Sequence, residues 1–388
     1  MLGIEVRTAA ATALAAHGHK GECVMAAARA DMRTAAKPTA DQMRVLKILE
    51  QLEDAADWRG VAAQERAAKA VAAAVRTSMP GYASFVYCTL GNTHNALGTF
   101  AKAIEYHMEH LTMAKEVGDR AGEGMAYGNL GNAYRSLGDL SKAREYQMQQ
   151  MAIAKEVGDR AGEVRAYANL GNVYDALGDY SKAIKYHTQY LAIAKEVGDR
   201  AGEGRAYSTL GNACKSLGDF SKAIKYHKQH MAIAKEVGDR AGEGKAHGNL
   251  GNAYRSMGDY SKAVEYHTQC LAIAKEVGDR AGEGTSFGNL GTDHMYLKEY
   301  VKAVAYHQAC HDLATSLKLA LLQSHAALNM GVALTLHVLA ARQGPATDAD
   351  EAPGPHGHSS ASACLNDRVR EGAKWLQAAF DGGQAFAR

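Results

Sequence analysis

The chain has 388 residues, with 44 Lys and Arg against 42 Asp and Glu for a net charge of +2, and 47% hydrophobic residues. Balanced charge gives no global pull toward nucleic acid or an anionic membrane, and no run of 18 apolar residues is present to span a bilayer. Six cysteines (Cys23, Cys88, Cys214, Cys270, Cys310, Cys364) lie far apart, with no CxxC, which fits free thiols in a reducing, cytoplasmic compartment rather than a disulfide framework.

The N-terminus is Ala-rich but interrupted by Glu5, Glu22 and Asp31, and it carries no signal-peptide core; an organellar transit peptide is the alternative reading. Val45, Ile48, Leu49 and Leu52 make one helix face, and an Ala-rich helix follows over 61–75, the pair bounded by Pro38 and Pro80. Residues 1–79 are therefore expected to form a helical N-terminal region, read as an irregular cap. Val24-Met25-Ala26-Ala27 before Pro38, and Val71 to Arg76 before Pro80, faintly resemble armadillo-type repeats.

From Gly81 to Ala320 the chain is six near-copies of one 40-residue block. A fixed period of this length signals stacked repeats, each unable to bury its apolar face alone. In the block 121–160, Tyr127, Leu130 and Tyr134 lie on one face of a first helix. Gly138 stops it and Asp139 is placed to cap the next start. Ala143, Tyr146, Met151, Ile153 and Ala154 mark a second helix ending at Val157-Gly158, after which Asp159 opens the next block with Glu163 in its first turn. β-Branched residues are sparse and nothing alternates with period two, so the fold is expected to be all-α, built of antiparallel helix pairs. Gly122, Gly124, Gly128 and Gly131 crowd one helix. At roughly 0.8–1 kcal/mol each against Ala, they leave it unable to form alone. At Gly131 and its equivalents (Gly91, Gly171, Gly211, Gly251, Gly291, Gly331) the missing side chain is expected to let the partner helix approach closely.

Tyr127, Leu130, Gly131 and Tyr134, then Gly138, Asp139, Ala143, Tyr146 and Gln147, resemble the tetratricopeptide repeat (TPR). All six blocks keep the Leu-Gly pair and the helix B alanine (Ala103, Ala143, Ala183, Ala223, Ala263, Ala303). The resemblance implies a right-handed superhelical TPR solenoid. The family's proline after helix B is replaced by a longer Ala-Lys-Glu-Val-Gly-Asp-Arg stretch. That 40-residue form, with Leu-Gly-Asn in helix A, looks most like the Pins/LGN group of scaffolds, although the short Gα-binding motifs of that group are not found. Asn329-Met330-Gly331 falls 40 residues after Asn289-Leu290-Gly291, which places a seventh helix A up to about Arg342. The array is thus read as residues 80–342, six full repeats plus that helix. Residues 343–363 are rich in Gly, Pro, Ser and acid and read as a flexible loop. In 364–388, Val369, Ala373, Trp375, Leu376, Ala379 and Phe380 give a capping helix and tail, read as a displaced helix B of the seventh repeat.

In TPR proteins helix A lines the concave face, where an extended peptide or a helix binds. By position, one column there is Asn92, Asn132, Asn172, Asn212 and Asn252, then Thr292. Three residues on come Asn95, Arg135, Asp175, Lys215, Arg255 and Met295; seven residues before the Asn column come Phe85, Met125, Arg165, Arg205, Lys245 and Thr285. Spacings of seven and three put the rows on one helix face. An Asn amide can both donate to and accept from a peptide backbone, and Arg and Lys favour carboxylates. The two outer rows vary while the blocks are otherwise alike, which would give a uniform scaffold a ligand register; drift at exposed positions and a structural role for the asparagines are the competing readings.

His107, His187, His227, His267 and His307 recur at one helix B position, and the His107/His110, His227/His230 and His307/His311 spacings could seat a metal. No Cys or carboxylate set completes a site, so packing between repeats is the reading and no metal is expected. Gly122-Glu123-Gly124 with Gly128 fails the dinucleotide fingerprint, having the wrong spacing and no preceding strand. No nucleophile–base–acid set can be assembled, and no cofactor is implied. The sequence is therefore read as a non-enzymatic protein-interaction scaffold that cradles an extended, acidic partner segment in the TPR groove. A helical-repeat RNA binder is the alternative; it would need stacking aromatics beside the basic rows, where only Phe85 is found.

Overall fold

The computed structural model describes residues 80–342 continuously, together with Glu65, Lys69, Ala72, Ala73, residues 370–375 and Gln377. Apart from those positions, the expected helical cap over 1–79 with its armadillo likeness, the 343–363 loop and most of 364–388 lie outside the described residues. Those described form helices and short turns and contain no strand.

The chain divides into two compact units, Met1–Asp179 and Tyr180–Arg388. The first holds α1 (Pro80–Ala96), α2 (Phe100–Glu116), α3 (Arg120–Leu137), α4 (Leu140–Glu156) and α5 (Arg160–Ala176). The second holds α6 (Tyr180–Glu196), α7 (Arg200–Leu217), α8 (Phe220–Glu236), α9 (Arg240–Ser256), α10 (Tyr260–Val277), α11 (Arg280–Tyr296), α12 (Tyr300–Ser316) and α13 (Ala320–Arg342). Within each unit, consecutive helices pack as pairs and each pair packs on the next: an all-α TPR solenoid.

The boundaries have local causes. Asp119 caps α3 by accepting the Gly122 amide at 2.9 Å, and Asp139 caps α4 by accepting that of Lys142 at 3.0 Å. The same bond recurs at Asp159, Asp199, Asp219, Asp239, Asp259 and Asp279, each worth about 1 kcal/mol. Gly138 ends α3 at φ 93°, in the left-handed region. Glycine fills this position at every turn from Gly98 to Gly278, but the last two turns place Lys298 (φ 62°) and Lys318 (φ 57°) there.

The core is a ladder. Leu130, Leu170, Leu210, Leu250, Leu290 and Met330 are fully buried, as are the helix B alanines. Each large side chain contributes about 1.5–3 kcal/mol. The stretch that replaces the family's proline has its own task. Arg120 donates to Glu123 at 2.7 Å and, through Nε, to Glu156 at 3.0 Å, so it ties the start of α3 to the end of α4. Arg200 with Glu203 and Glu236, and Arg240 with Glu243 and Glu276, repeat the clamp.

Candidate functional site

The helix A glycines explain the helix B histidines. A Cβ on Gly211 would overlap the His227 imidazole, and the same holds for Gly91 against His107, Gly251 against His267 and Gly291 against His307. The expected close approach is therefore made by a ring pressed flat on helix A backbone. His107, His187, His227, His267 and His307 are all fully buried. Burial pushes His107, His227 and His307 down to about 4, so these rings are neutral spacers at pH 7. In the second block Gln147 fills the same slot, donating to the Gly128 carbonyl at 3.0 Å and to Asn132 Oδ1 at 3.2 Å. Among the described residues no group of three or more His, Cys, Asp or Glu is placed to hold a metal ion.

The helix A rows are exposed or half-buried. In the first unit Asn92 is exposed and donates to Cys88 Sγ at 3.7 Å. Asn132 and Asn172 are half-buried, Arg135 is exposed and Asp175 is half-buried. Exposed Arg165 rests 3.4 Å from Asp159, the cap of its own helix. In the second unit Asn212 and Lys245 are exposed, while Asn252 and Lys215 are half-buried. Arg205 lies 3.5 Å from its cap Asp199 and donates to Tyr190 Oη at 3.3 Å. Exposed pairs of this kind are worth under about 1 kcal/mol, so the arginines are free to exchange a cap carboxylate for a ligand's.

Arg255 differs from the rest of its row. Its Nε donates to Asp293 Oδ1 at 2.5 Å and its guanidinium to the Asn289 carbonyl at 2.9 Å; Asp293 Oδ2 lies 2.5 Å from His267 Nδ1. Asp293 and His267 are fully buried and the Arg255 side chain is 19% exposed. The charge that reads as a ligand contact in the sequence is committed to holding α9 and α10 against α11. Asp293 is the residue that reading the rows did not find. Its signal was present: the sixth block reads Thr292-Asp293-His294 where Ala133, Val173, Ala213 and Ala253 occupy the same column.

The family profile described as tetratricopeptide repeat matches residues 82–156, 122–196 and 198–276. Among solved structures, the chain is similar to a signal transduction ATPase with numerous domains (STAND) from Pyrococcus horikoshii that carries a tetratricopeptide repeat sensor, with a TM-score of 0.61 and 18% identity. That match covers 86% of this chain and 49% of the other, so the chain spans about half the length of that protein. It is also similar to aspartyl phosphate phosphatase F from Bacillus subtilis (TM-score 0.59, 13% identity, covering 99% of this chain and 94% of the other). A third likeness is to a Rap protein complexed with Competence and Sporulation Factor (TM-score 0.55, 16% identity, 97% and 99% covered). At these identities the likeness is one of fold.

Proposed function

The chain belongs to the tetratricopeptide repeat family, and on that premise we propose that it is a protein-interaction scaffold whose helix A face holds an extended, acidic segment of a partner. The observation that carries this reading is the division of labour within the repeat. Among the recurring positions, the Leu210 ladder and the His227 slot are buried and build the stack, whereas Arg165, Arg205 and Lys245 stand exposed and change from block to block. That a similarly folded Rap protein is complexed with Competence and Sporulation Factor supports a binding role for this architecture.

In this reading Asn212 and Asn252 grip ligand backbone, while Arg205, Lys215 and Lys245 grip carboxylates. Asn92, Asn132, Asn172, Arg135 and Arg165 do the same on the first unit, with Asp175 breaking the charge and so setting a register. Arg255 serves the fold. The Leu-Gly-Asn core and 40-residue length support a repeat of the Pins/LGN type, and the dispersed cysteines support a reducing, cytoplasmic setting.

Titration of the full chain with acidic and charge-neutral extended peptides of equal length tests the proposal. Acidic peptides should bind preferentially, and Arg205→Glu with Lys245→Glu should weaken them about tenfold, ~1.4 kcal/mol. Equal binding of both peptide sets, or an undiminished affinity in the double variant, would sink it. A steep salt dependence with RNA and none with peptides would instead revive the nucleic-acid reading.

A further inference from the structure

α13 is unlike every helix A before it. One side is buried through Ala326, Ala327, Met330, Ala333, Leu334 and Val338. A second apolar stripe is left open: Leu321 is 61% exposed, Leu328 44%, Val332 36% and Leu339 46%, with exposed His325 and Thr335 between them. One block earlier the same four positions hold Ala281, Gly288, Thr292 and Glu299, and two blocks earlier Ala241, Gly248, Asn252 and Asp259. Large apolar side chains thus enter these four positions only in α13.

We infer that this stripe is a homodimer seam, on which two chains pair through antiparallel α13 helices. The spacing 321, 325, 328, 332, 335, 339 runs four, three, four, three, four, the pattern by which one helix lays a seam along another. Over 18 residues at 1.5 Å each the seam is about 27 Å long. It also reads alike in both directions. Reversed about residue 330, Leu321 meets the second copy's Leu339, Leu328 meets its Val332, and His325 meets its Thr335. That is the self-complementarity an isologous two-fold contact requires, and no charged residue lies on the stripe to oppose it.

Other occupants fit less well. The chain's own Gly344–Ser362 contains no Leu, Ile, Val, Met, Phe, Tyr or Trp residue. Residues 370–375 lie along the neighbouring flank, where a Cβ on Gly372 would come within 4 Å of Leu334, the Gly331 carbonyl and the seam's Thr335, and where Trp375 packs edge-on against His311 at 4.9 Å. A head-to-tail copy would need an open first repeat. There, Tyr106 donates to Glu65 and lies under Lys69, 4.8 Å from the ring centre, just as Tyr146 of the next repeat lies 4.0 Å from Met108 of its predecessor. Glu65 and Lys69 thus occupy that end.

The test is light scattering and sedimentation of the full chain over a concentration series. The expected result is a dimer whose dissociation constant rises at least about tenfold in Leu328→Glu with Val332→Glu, at an unchanged melting temperature. Leu217→Glu, at the end of α7 where the residue is 51% exposed, should leave the dimer intact. The pairing is then fixed by mixing: Leu321→Glu and Leu339→Lys chains should each dimerise poorly alone and form a heterodimer together, which a folding defect could not produce. A monomer at every concentration, a dimer indifferent to the seam variants, or a mixture that fails to pair would overturn the inference.

Discussion

Between α7 and α8, the His227 ring lies fully buried against Gly211 with neither nitrogen bonded to protein; one repeat later the equivalent His267 shares Asp293 with Arg255. The same backbone geometry accommodates both. In the first case a neutral ring fills the gap left by a glycine, and shape alone specifies the contact. In the second, a buried carboxylate binds a guanidinium from the preceding helix A, and charge specifies which repeat follows which. Near-identical blocks have little else to fix their order, so the departure in the sixth block gives that one junction an identity the others lack.

The neutral layers should respond most strongly to acid. Burial is the main cause that pushes His227 down to about 4, with His230 and Lys215 adding to it; His107 and His307 sit equally low. The unfolded chain titrates near 6.5, so it binds more protons than the folded chain at every pH below that value. Stability is therefore full above pH 6.5 and is lost as pH falls from there through 4. At pH 5 each ring costs about 2 kcal/mol and the three together about 6 kcal/mol. Urea unfolding of the full chain between pH 7 and 5 should show that fall. His227→Gln, which copies Gln147, should remove about a third of it; an identical pH slope in the variant would refute the assignment.

The charged junction should respond to mutation asymmetrically. Arg255→Ala leaves Asp293 fully buried with a histidine as its remaining partner, and breaking a buried pair in this way costs about 3 kcal/mol. Asp293→Ala restores the residue found at Ala253 and Ala213, and the partly exposed Arg255 can turn to solvent as Arg135 does. That variant should lose no more than about 1 kcal/mol, the scale of an ordinary exposed pair. Equal losses in chemical denaturation would mean that Arg255 is as trapped as its partner.

The neutral layers are tested at their glycines. Gly211→Ala gains about 1 kcal/mol of helix propensity, but its new methyl group overlaps the His227 ring. Overpacking of that kind costs about 1–3 kcal/mol, so a net loss of about 1 kcal/mol is expected. At Gly288 a Cβ would meet only Cys310 Sγ at 3.6 Å, an ordinary contact, so Gly288→Ala should stabilise by up to about 1 kcal/mol. Thermal melts in which both variants moved the same way would break the distinction between a glycine needed for packing and one that is not.

Period and local chemistry made most of this fold legible. Leu130 at helical spacing, Gly138 at the stop and Asp139 at the start each carry their own signal, and each does in the structure what its chemistry dictates. The histidine rows were also readable as packing, because a residue repeated in every block belongs to the stack. Arg255 was not. Arg135 and Arg255 look the same along the chain, and only the neighbour one block on, Val173 against Asp293, decides which one faces solvent. The clamp of Arg120 on Glu123 and Glu156 escaped for the same reason, since its partners lie 3 and 36 residues away.

The turns extend the comparison to its smallest effect. From Gly98 to Gly278 every hairpin turns on a glycine in the left-handed region, whereas Lys298 adopts φ 62° with a full side chain. A non-glycine residue there pays about 1–2 kcal/mol in steric strain. Lys298→Gly removes that strain but frees the unfolded backbone, which returns part of the gain. The net expectation is a stabilisation of about 0.5–1 kcal/mol, read as a small rise in denaturation midpoint at unchanged m-value. Among the described residues the Lys298 side chain has no hydrogen bond or ion pair to lose, so a destabilised variant would show that the sixth block's departures at Asp293, His294 and Lys298 work together, with the turn held in place by the His294–Glu299 bond of 2.6 Å rather than by its own backbone.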